Sequence, residues 1–444
     1  MFNFFPGKTA AGNHELATPH ASQFDSNTGL YTFSYYMPEL QNLLARQKAL
    51  GLIFIDASEL SKIECDYGHG IYSQILKELV GAIQSLKGTL VRAEDILAVR
   101  HPHDEFFLLF LSSSRPENPG FLKIENLHNI IERLIHSLNA KVFEITFPYT
   151  KRILKTDIGY AYAMHNPLLS TERIVYRLIE NAKTIAQFNG QKFILQINEA
   201  LKEIIMEENV TTLFQPIVSM TDGSIFAYEA LSRGPKGSPM ESPLMLFSVA
   251  ETAQLSFELD RLCRRKAIEN AKGLDGIQKL FVNTFPTTMH DPEFKGEHLR
   301  KLLKDSNFLG KNIVFEITER FAIENYALFQ KEQSYYSDLG FDLAVDDIGT
   351  GYGSLEAIAN LKPQFVKVDI SIIRGIHQNP VKQELLKAIR DIGRKVNAKI
   401  VAEGIEQEAE LDCVRELGID YGQGYLIARP SIEFQPADFK LRFR

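Results

Sequence analysis

From Asp25 to about Gly190, short apolar runs alternate with stretches whose apolar positions return every three or four residues. The runs at 52–56, 96–100, 106–111 and 157–163 predict strands. The stretches at 36–50, 71–87, 124–138 and 171–188 predict helices. Together they predict an α/β domain. Residues 196–208 mix apolar and acidic positions at helical spacing and predict a connecting helix. Beyond Thr211 the rhythm changes: β-branched or aromatic runs at 225–231, 279–284, 313–319, 343–347, 365–369, 399–403 and 421–426 each end near a polar residue and precede a helical stretch. That alternation predicts a β/α barrel. Four segments follow: a loose leader at 1–24, an α/β domain at 25–192, a linker helix at 193–210 and a barrel domain at 211–444.

Composition narrows the reading. Hydrophobic residues at 45% and charged residues at 24% suit two well-buried cores. Cys65, Cys263 and Cys413 are far apart and match neither a zinc site nor a disulfide framework. With no apolar run near the roughly 20 residues of a membrane span and no secretory signal, the expectation is a cytoplasmic protein. A net charge of −7 disfavours a nucleic-acid polymer as partner but leaves room for a small phosphorylated ligand.

In a barrel, chemistry gathers where the strands end. Those ends carry Glu229, Asn283, Glu316 with Glu319, Asp346 with Asp347, Lys367 with Asp369, Glu403 with Glu406, and Gln423. A lone Glu there is a solvated group or a helix cap, and the Asp pair has a second reading as a cap for the loop that follows. So many carboxylates at one mouth repel one another, which hard cations such as Mg²⁺ or Mn²⁺ would relieve. Adjacent aspartates can flank two ions, and two ions suit in-line displacement at phosphorus.

Residues 211–430 resemble the EAL phosphodiesterase family. The resemblance is carried by Phe-Gln-Pro-Ile-Val at 214–218, Glu-Ala-Leu-Ser-Arg at 229–233, Val-Asn-Thr-Phe-Pro at 282–286 and Glu-Ile-Thr-Glu at 316–319. It continues in Asp-Asp-Ile-Gly-Thr-Gly-Tyr at 346–352, Lys-Val-Asp at 367–369, Ala-Glu-Gly-Ile-Glu at 402–406 and Gln-Gly-Tyr at 423–425. The resemblance implies a (β/α)8 TIM-like barrel that hydrolyses cyclic di-GMP to linear pGpG with two Mg²⁺ or Mn²⁺ ions. It implies that Glu229, Asn283, Glu316 and Asp346 hold one ion, and that Asp346, Asp347 and Glu403 place the second. Glu229, Lys367 and Glu403 would be catalytic, with Lys367 at the attacking water. Gln215, Leu231, Arg233, Asp369 and Gln423 would contact substrate, Glu319 would hold the Asp-Asp loop, and Glu406 would support the cluster. Ile348 and Gly353 stand where the family more often has Phe and Ser, and neither is a ligand. A homodimer through residues 351–360 is also implied.

Residues 25–192 resemble, more loosely, the GGDEF diguanylate-cyclase family, implying a central, mainly antiparallel sheet. The match runs through Asp-Ser-Asn-Thr-Gly-Leu at 25–30, Asp56, Tyr67-Gly68-His69, Ala182-Lys183 and Gly190. The signature loop reads Pro102-His103-Asp104-Glu105-Phe106, so two glycines that would admit phosphate are a proline and a histidine. Glu64 and Cys65 occupy the guanine-recognising positions, and Arg92 and Asp95 form an Arg-x-x-Asp one residue out of register. His101, His103, Asp104 and Glu105 read either as a metal site or, preferably, as a solvated hairpin turn. The expectation is a silent cyclase-like domain that regulates or dimerises a phosphodiesterase, with a regulatory protein partner possible through it. The rivals are a receptor that binds cyclic di-GMP without cutting it and a bifunctional enzyme.

Overall fold

The computed structural model describes residues 23–111, 124–146, 149–150, 154–274, 277–285, 291–318, 335–349, 354–436 and 439–441. They divide into two compact units between Gln196 and Ile197. Family-typical Glu319 and residues 351–353 of the expected dimer segment lie outside the described residues.

In the first unit a small ribbon pairs β1 (Phe24–Asp25) with β2 (Leu30–Tyr31). The main sheet contains β3 (Ala49–Asp56), β4 (Ile96–Val99), β5 (Phe106–Leu111) and β6 (Asp157–Met164) in the order β4-β5-β3-β6. Every pair in it is antiparallel, as expected. The central strand β3 is apolar on both faces because both are covered. Ile53 and Ile55 pack with residues of α3 (His69–Ser85) and α4 (Ile124–Thr146). Leu50, Leu52 and Phe54 pack with α1 (Met37–Gln47) and α5 (Thr171–Met206), while the short α2 (Ser61–Tyr67) precedes α3. Gly159 permits α5 to lie close, since a Cβ there would meet Ala182 O at 2.2 Å. The two helical stretches predicted at 171–188 and 196–208 are one unbroken helix, because no glycine or proline breaker strong enough intervenes.

The second unit is a closed eight-stranded barrel, β7 to β14. Its strands are β7 (Thr211–Ser219), β8 (Ile225–Arg233), β9 (Lys279–Asn283), β10 (Ile313–Thr318), β11 (Asp342–Ile348), β12 (Phe365–Val368), β13 (Lys399–Ala402) and β14 (Tyr421–Gly422). The helices are α6 (Pro243–Ala253), α7 (Ser256–Asn270), α8 (Gly296–Asp305), α9 (Ser354–Leu361), α10 (Ile370–Ile373), α11 (Pro380–Lys395) and α12 (Glu408–Glu416). One strand departs from a uniform (β/α)8 pattern. β7 runs antiparallel to both β8 and β14. The cause is local: β7 and β8 are joined by a tight turn in which Gly223 takes φ +71° and Asp222 Oδ1 accepts from Ser224 N at 3.2 Å, leaving no room for a crossover helix. The sequence reading placed no strand at 211–219.

Candidate active site in the barrel mouth

Inside the barrel, Ile217, Ala227, Phe281, Val314, Ala344, Phe365 and Val401 form one buried apolar layer. Side chains two residues apart on a strand share a face. Moving two positions toward the mouth from each layer member gives Gln215, Glu229, Asn283, Glu316, Asp346, Lys367 and Glu403. Gln423 follows Tyr421, which packs against the same layer. The candidate residues are thus the next layer toward the barrel mouth, one from each strand or from the residue just after it, with Asn283 at the exposed rim. For β7 the step runs backward in sequence because that strand is reversed.

Lys367, 1% exposed, stands at the centre. Its Nζ lies 2.7 Å from Glu403 Oε1, 2.8 Å from Glu316 Oε1, 3.3 Å from Glu229 Oε2 and 3.3 Å from Asp346 Oδ2. Amides close the ring. Asn283 Nδ2 donates to Glu229 Oε1 at 3.3 Å, and Gln423 Nε2 donates to Glu229 Oε2 at 2.8 Å and Gln215 Oε1 at 3.0 Å. Gln215 in turn donates to Ala428 O at 3.0 Å.

The electrostatics follow from crowding. Burial pushes the Glu316 carboxyl well above its ordinary range, with Glu229 and Asp346 adding to the rise and Lys367 opposing it. Burial is likewise the main cause that raises Glu403, followed by the charge of Asp346. Asp346 is pushed up to about 6, again chiefly by burial. For Lys367, burial acts against the ammonium, but the fields of Asp346, Glu229, Glu316 and Glu403 outweigh it and hold the group well above its usual value. Lys367 is therefore held as an ammonium, a hydrogen-bond donor, at neutral pH.

The Asp-Asp pair sits on a bulge. The β11–β12 register shifts between Val345 and Ile348, and Asp347 takes φ +60°, a left-handed conformation that Asp tolerates better than most residues. Asp347 N–H donates to Asp346 Oδ1 at 2.8 Å. Gly349, at φ +114°, leaves the bulge where a Cβ would meet Ile372 Cδ1 at 2.3 Å. Leu231 and Arg233 share the inward face of β8 above Glu229. Arg233 donates to Ser232 O at 2.9 Å, and half-burial lowers its pKa.

Two candidates have other partners. Asp369 Oδ1 accepts from Ser371 N at 2.8 Å and caps α10. Glu406 forms an exposed ion pair with Arg374 at 3.1 Å and does not reach Lys367. The sequence reading missed Glu410, which is buried and accepts the backbone N–H groups of Gly375, Glu406 and Gln407 at 2.8–3.1 Å. It also missed the buried pair Asp260 and Arg264 on α7, although their i, i+4 spacing was legible.

Whether the ring suits a hard cation is a matter of donor chemistry. Its donors are oxygens, and buried Glu316 has an Oε2 with no hydrogen-bond partner. Among the described residues, no three His, Cys, Asp or Glu side chains stand at cation-binding separations. The carboxylates close on Lys367 instead. The donor set fits Mg²⁺ or Mn²⁺ in type.

In the first unit the expected positions are engaged locally. Glu105 Oε1 accepts from Tyr72 OH at 2.6 Å, Glu64 pairs with His69 at 2.8 Å, and Asp56 accepts from Ser58 N at 2.9 Å. His103 takes φ +62° in the turn, the conformation a glycine would supply. Asp95 accepts from Arg92 N at 2.8 Å.

Comparison with known proteins agrees with this architecture. Residues 196–430 match the EAL domain family, and residues 22–192 match the family described as diguanylate cyclase, GGDEF domain. Cyclic di-GMP phosphodiesterase NbdA of Pseudomonas aeruginosa is 25% identical, over 94% of this chain and 54% of its own length. Cyclic di-GMP phosphodiesterase PdeR of Escherichia coli is 26% identical, over 91% of this chain and 61% of its own. The chain thus spans little more than half the length of these relatives. The FimX EAL domain of Xanthomonas citri, solved with c-diGMP, shares the fold at TM-score 0.50 and 21% identity, covering 55% of this chain and 98% of that one. No helix among the described residues is long and apolar enough to cross a membrane. The chain belongs to the EAL domain family, with a GGDEF domain preceding its barrel.

Proposed function

We propose that the barrel hydrolyses cyclic di-GMP to linear pGpG with two divalent cations, Mg²⁺ or Mn²⁺, and that the GGDEF domain is catalytically silent. The observation that carries this reading is the ring of four carboxylates around Lys367, with Asn283 and Gln423 hydrogen-bonded to Glu229. Glu229, Asn283, Glu316 and Asp346 would hold one cation, and Asp346, Asp347 and Glu403 the other. Bound there, the ions would lower the pKa of a water so that it is deprotonated and nucleophilic, and would offset the charge at phosphorus. Lys367, always charged, orients that water and donates to the phosphate oxygens. Arg233 and Gln215 bind the ligand beside Leu231, and Asp369 and Gln423 orient it. Glu319 and Glu406 support the loops around the site.

The test is incubation of the intact chain with cyclic di-GMP and Mg²⁺, followed by separation of products. The expected product is pGpG, lost in excess chelator. Binding without cleavage would favour the receptor reading instead. GTP with the same protein is expected to yield no cyclic di-GMP, since Pro102 lacks the N–H that a phosphate cradle needs. Formation of that product would overturn the silent role. A two-fold homodimer through residues 351–360, and a regulatory protein partner at the GGDEF domain, complete the proposal. Light scattering that finds an active monomer would remove the dimer.

A further inference from the structure

Asn283 is the last residue of β9, so its side chain is only as well placed as the chain leaving the strand. Two bonds fix that exit. Thr284 N–H donates to Glu316 O at 2.9 Å, and Phe285 N–H donates to Asp260 Oδ1 at 3.2 Å. Asp260 lies on α7 and is 3% exposed. Its other oxygen accepts from Arg264 Nε at 2.8 Å, one helical turn along. Arg264, 1% exposed, also reaches Asp291 Oδ2 at 3.3 Å and lies over the Phe294 ring at 4.0 Å. Asp291 is clamped by Arg261 at 2.8 and 2.9 Å, and accepts from Glu293 N at 3.0 Å. Two buried carboxylates and two guanidiniums, with the exposed Glu293 also 3.2 Å from Arg261, therefore form one ion network against α7.

A buried ion network of this kind returns little net stability compared with apolar residues of the same volume. What it supplies is fixed geometry. One oxygen of Asp260 is spent on the amide two residues beyond Asn283. We infer that Asp260, held by Arg264 and Asp291, is a positioning residue that sets the Asn283 side chain against Glu229 and so completes the cation-binding ring. The inference rests on the phosphodiesterase reading. Asn283 is the ring member at the very end of its strand that this clamp steadies, and Asp260 acts on it without touching substrate or cation.

The experiment uses the full chain and Mn²⁺ alone, with free Mn²⁺ followed by electron paramagnetic resonance and folding by circular dichroism. Asp260→Asn keeps an acceptor oxygen but breaks the charge balance with Arg264. It is expected to weaken Mn²⁺ binding by about 10- to 100-fold, the effect typical of residues that orient metal ligands. Asn283→Ala added to Asp260→Asn is expected to weaken binding less than Asn283→Ala does alone, because both act through one donor. A role in stability only would lower the melting temperature, leave Mn²⁺ binding unchanged in the folded protein and give additive effects, and that result overturns the inference. Should Asp260→Asn not fold, Asp260→Leu with Arg264→Met removes both charges at similar volume while still losing the acceptor for Phe285. Wild-type Mn²⁺ affinity in that pair overturns the inference equally. A wild-type chain that binds no Mn²⁺ overturns the phosphodiesterase reading along with it. Wild-type binding with unaltered variants overturns this inference alone.

Discussion

The barrel mouth and the hairpin between β4 and β5 both carry carboxylates at strand ends, yet they use them differently. In the first unit each acid finds its own local donor: Glu105, in the hairpin just before β5, takes Tyr72, Asp56, at the end of the adjacent β3, takes the Ser58 amide, and Glu64, on α2, takes His69. The sheet there is open, with Asp56 in register with Phe106 and Asp157, so its strand ends stand in a row and do not face one another across a closed ring. In the barrel the sheet closes on itself, and Glu229, Glu316, Asp346 and Glu403 are driven onto the single ammonium of Lys367. Closure is what turns scattered acids into a shared field, with pKa values raised by burial and mutual charge. The same residue types make a site in one region and solvated turns in the other.

That contrast is most easily broken by substitution. Glu229→Gln or Asp346→Asn is expected to lower cyclic di-GMP turnover by on the order of 10²–10³-fold, as loss of one preorganised polar group does in other active sites. Glu105→Gln and Asp56→Asn should leave turnover unchanged, and product chromatography on all four measures the difference. Equal losses from both regions would mean that the hairpin takes part in the reaction.

Removal of the central cation sharpens the comparison next. Lys367→Met leaves four carboxylates without their shared partner, and breaking a buried pair in this way costs about 3–5 kcal/mol. In chelator, urea unfolding of the barrel should shift accordingly, and added Mg²⁺ should restore part of the loss. In the unsubstituted chain, Ca²⁺ in place of Mg²⁺ should raise stability without supporting turnover, because the chemistry needs tight octahedral geometry; equal turnover with Ca²⁺ would remove that requirement.

A pH series gives a smaller signal of known sign. Asp346 is held at about 6, above its ordinary value of 3.8, so the folded protein retains a proton that the unfolded chain releases between those limits. Its contribution therefore falls as pH rises from about 4 to 6 and stays unfavourable above. In chelator, Asp346→Asn should gain stability relative to wild type over that window, read as the difference in urea midpoints. A flat difference would show that closure does not strain Asp346.

The smallest expected effect lies in the hairpin region. Tyr72→Phe removes one hydrogen bond to Glu105, worth about 1 kcal/mol, and should lower the stability of the first unit without altering hydrolysis.

Much of this was legible in the chain. The alternation of apolar runs and helical stretches marks both domains, and the inward period of two makes each site residue the partner of an apolar residue two positions away: Val314 with Glu316, Ala344 with Asp346, Phe365 with Lys367. Strand β7 was not legible as a strand, because Phe-Gln-Pro-Ile-Val contains a proline that ordinarily demotes a strand assignment. Here Pro216 is accommodated in the reversed strand opposite Tyr228. The part played by α7 was hidden for another reason. Asp260, Arg264 and Asp291 look like surface charges in sequence, and only packing against Phe294 and the exit of β9 buries them.

The sequence by itself determined the alternation of strands and helices apart from β7, the two-domain layout and which residue types would stand at the strand ends, because these follow from local periodicity and composition. Tertiary structure alone decided that four acids share one lysine, that Asp369 caps a helix and Glu406 pairs with Arg374, and that Asp260 grips the chain beyond Asn283. Those outcomes depend on which groups lose their water together, and desolvation is a property of the closed barrel that no stretch of chain possesses alone.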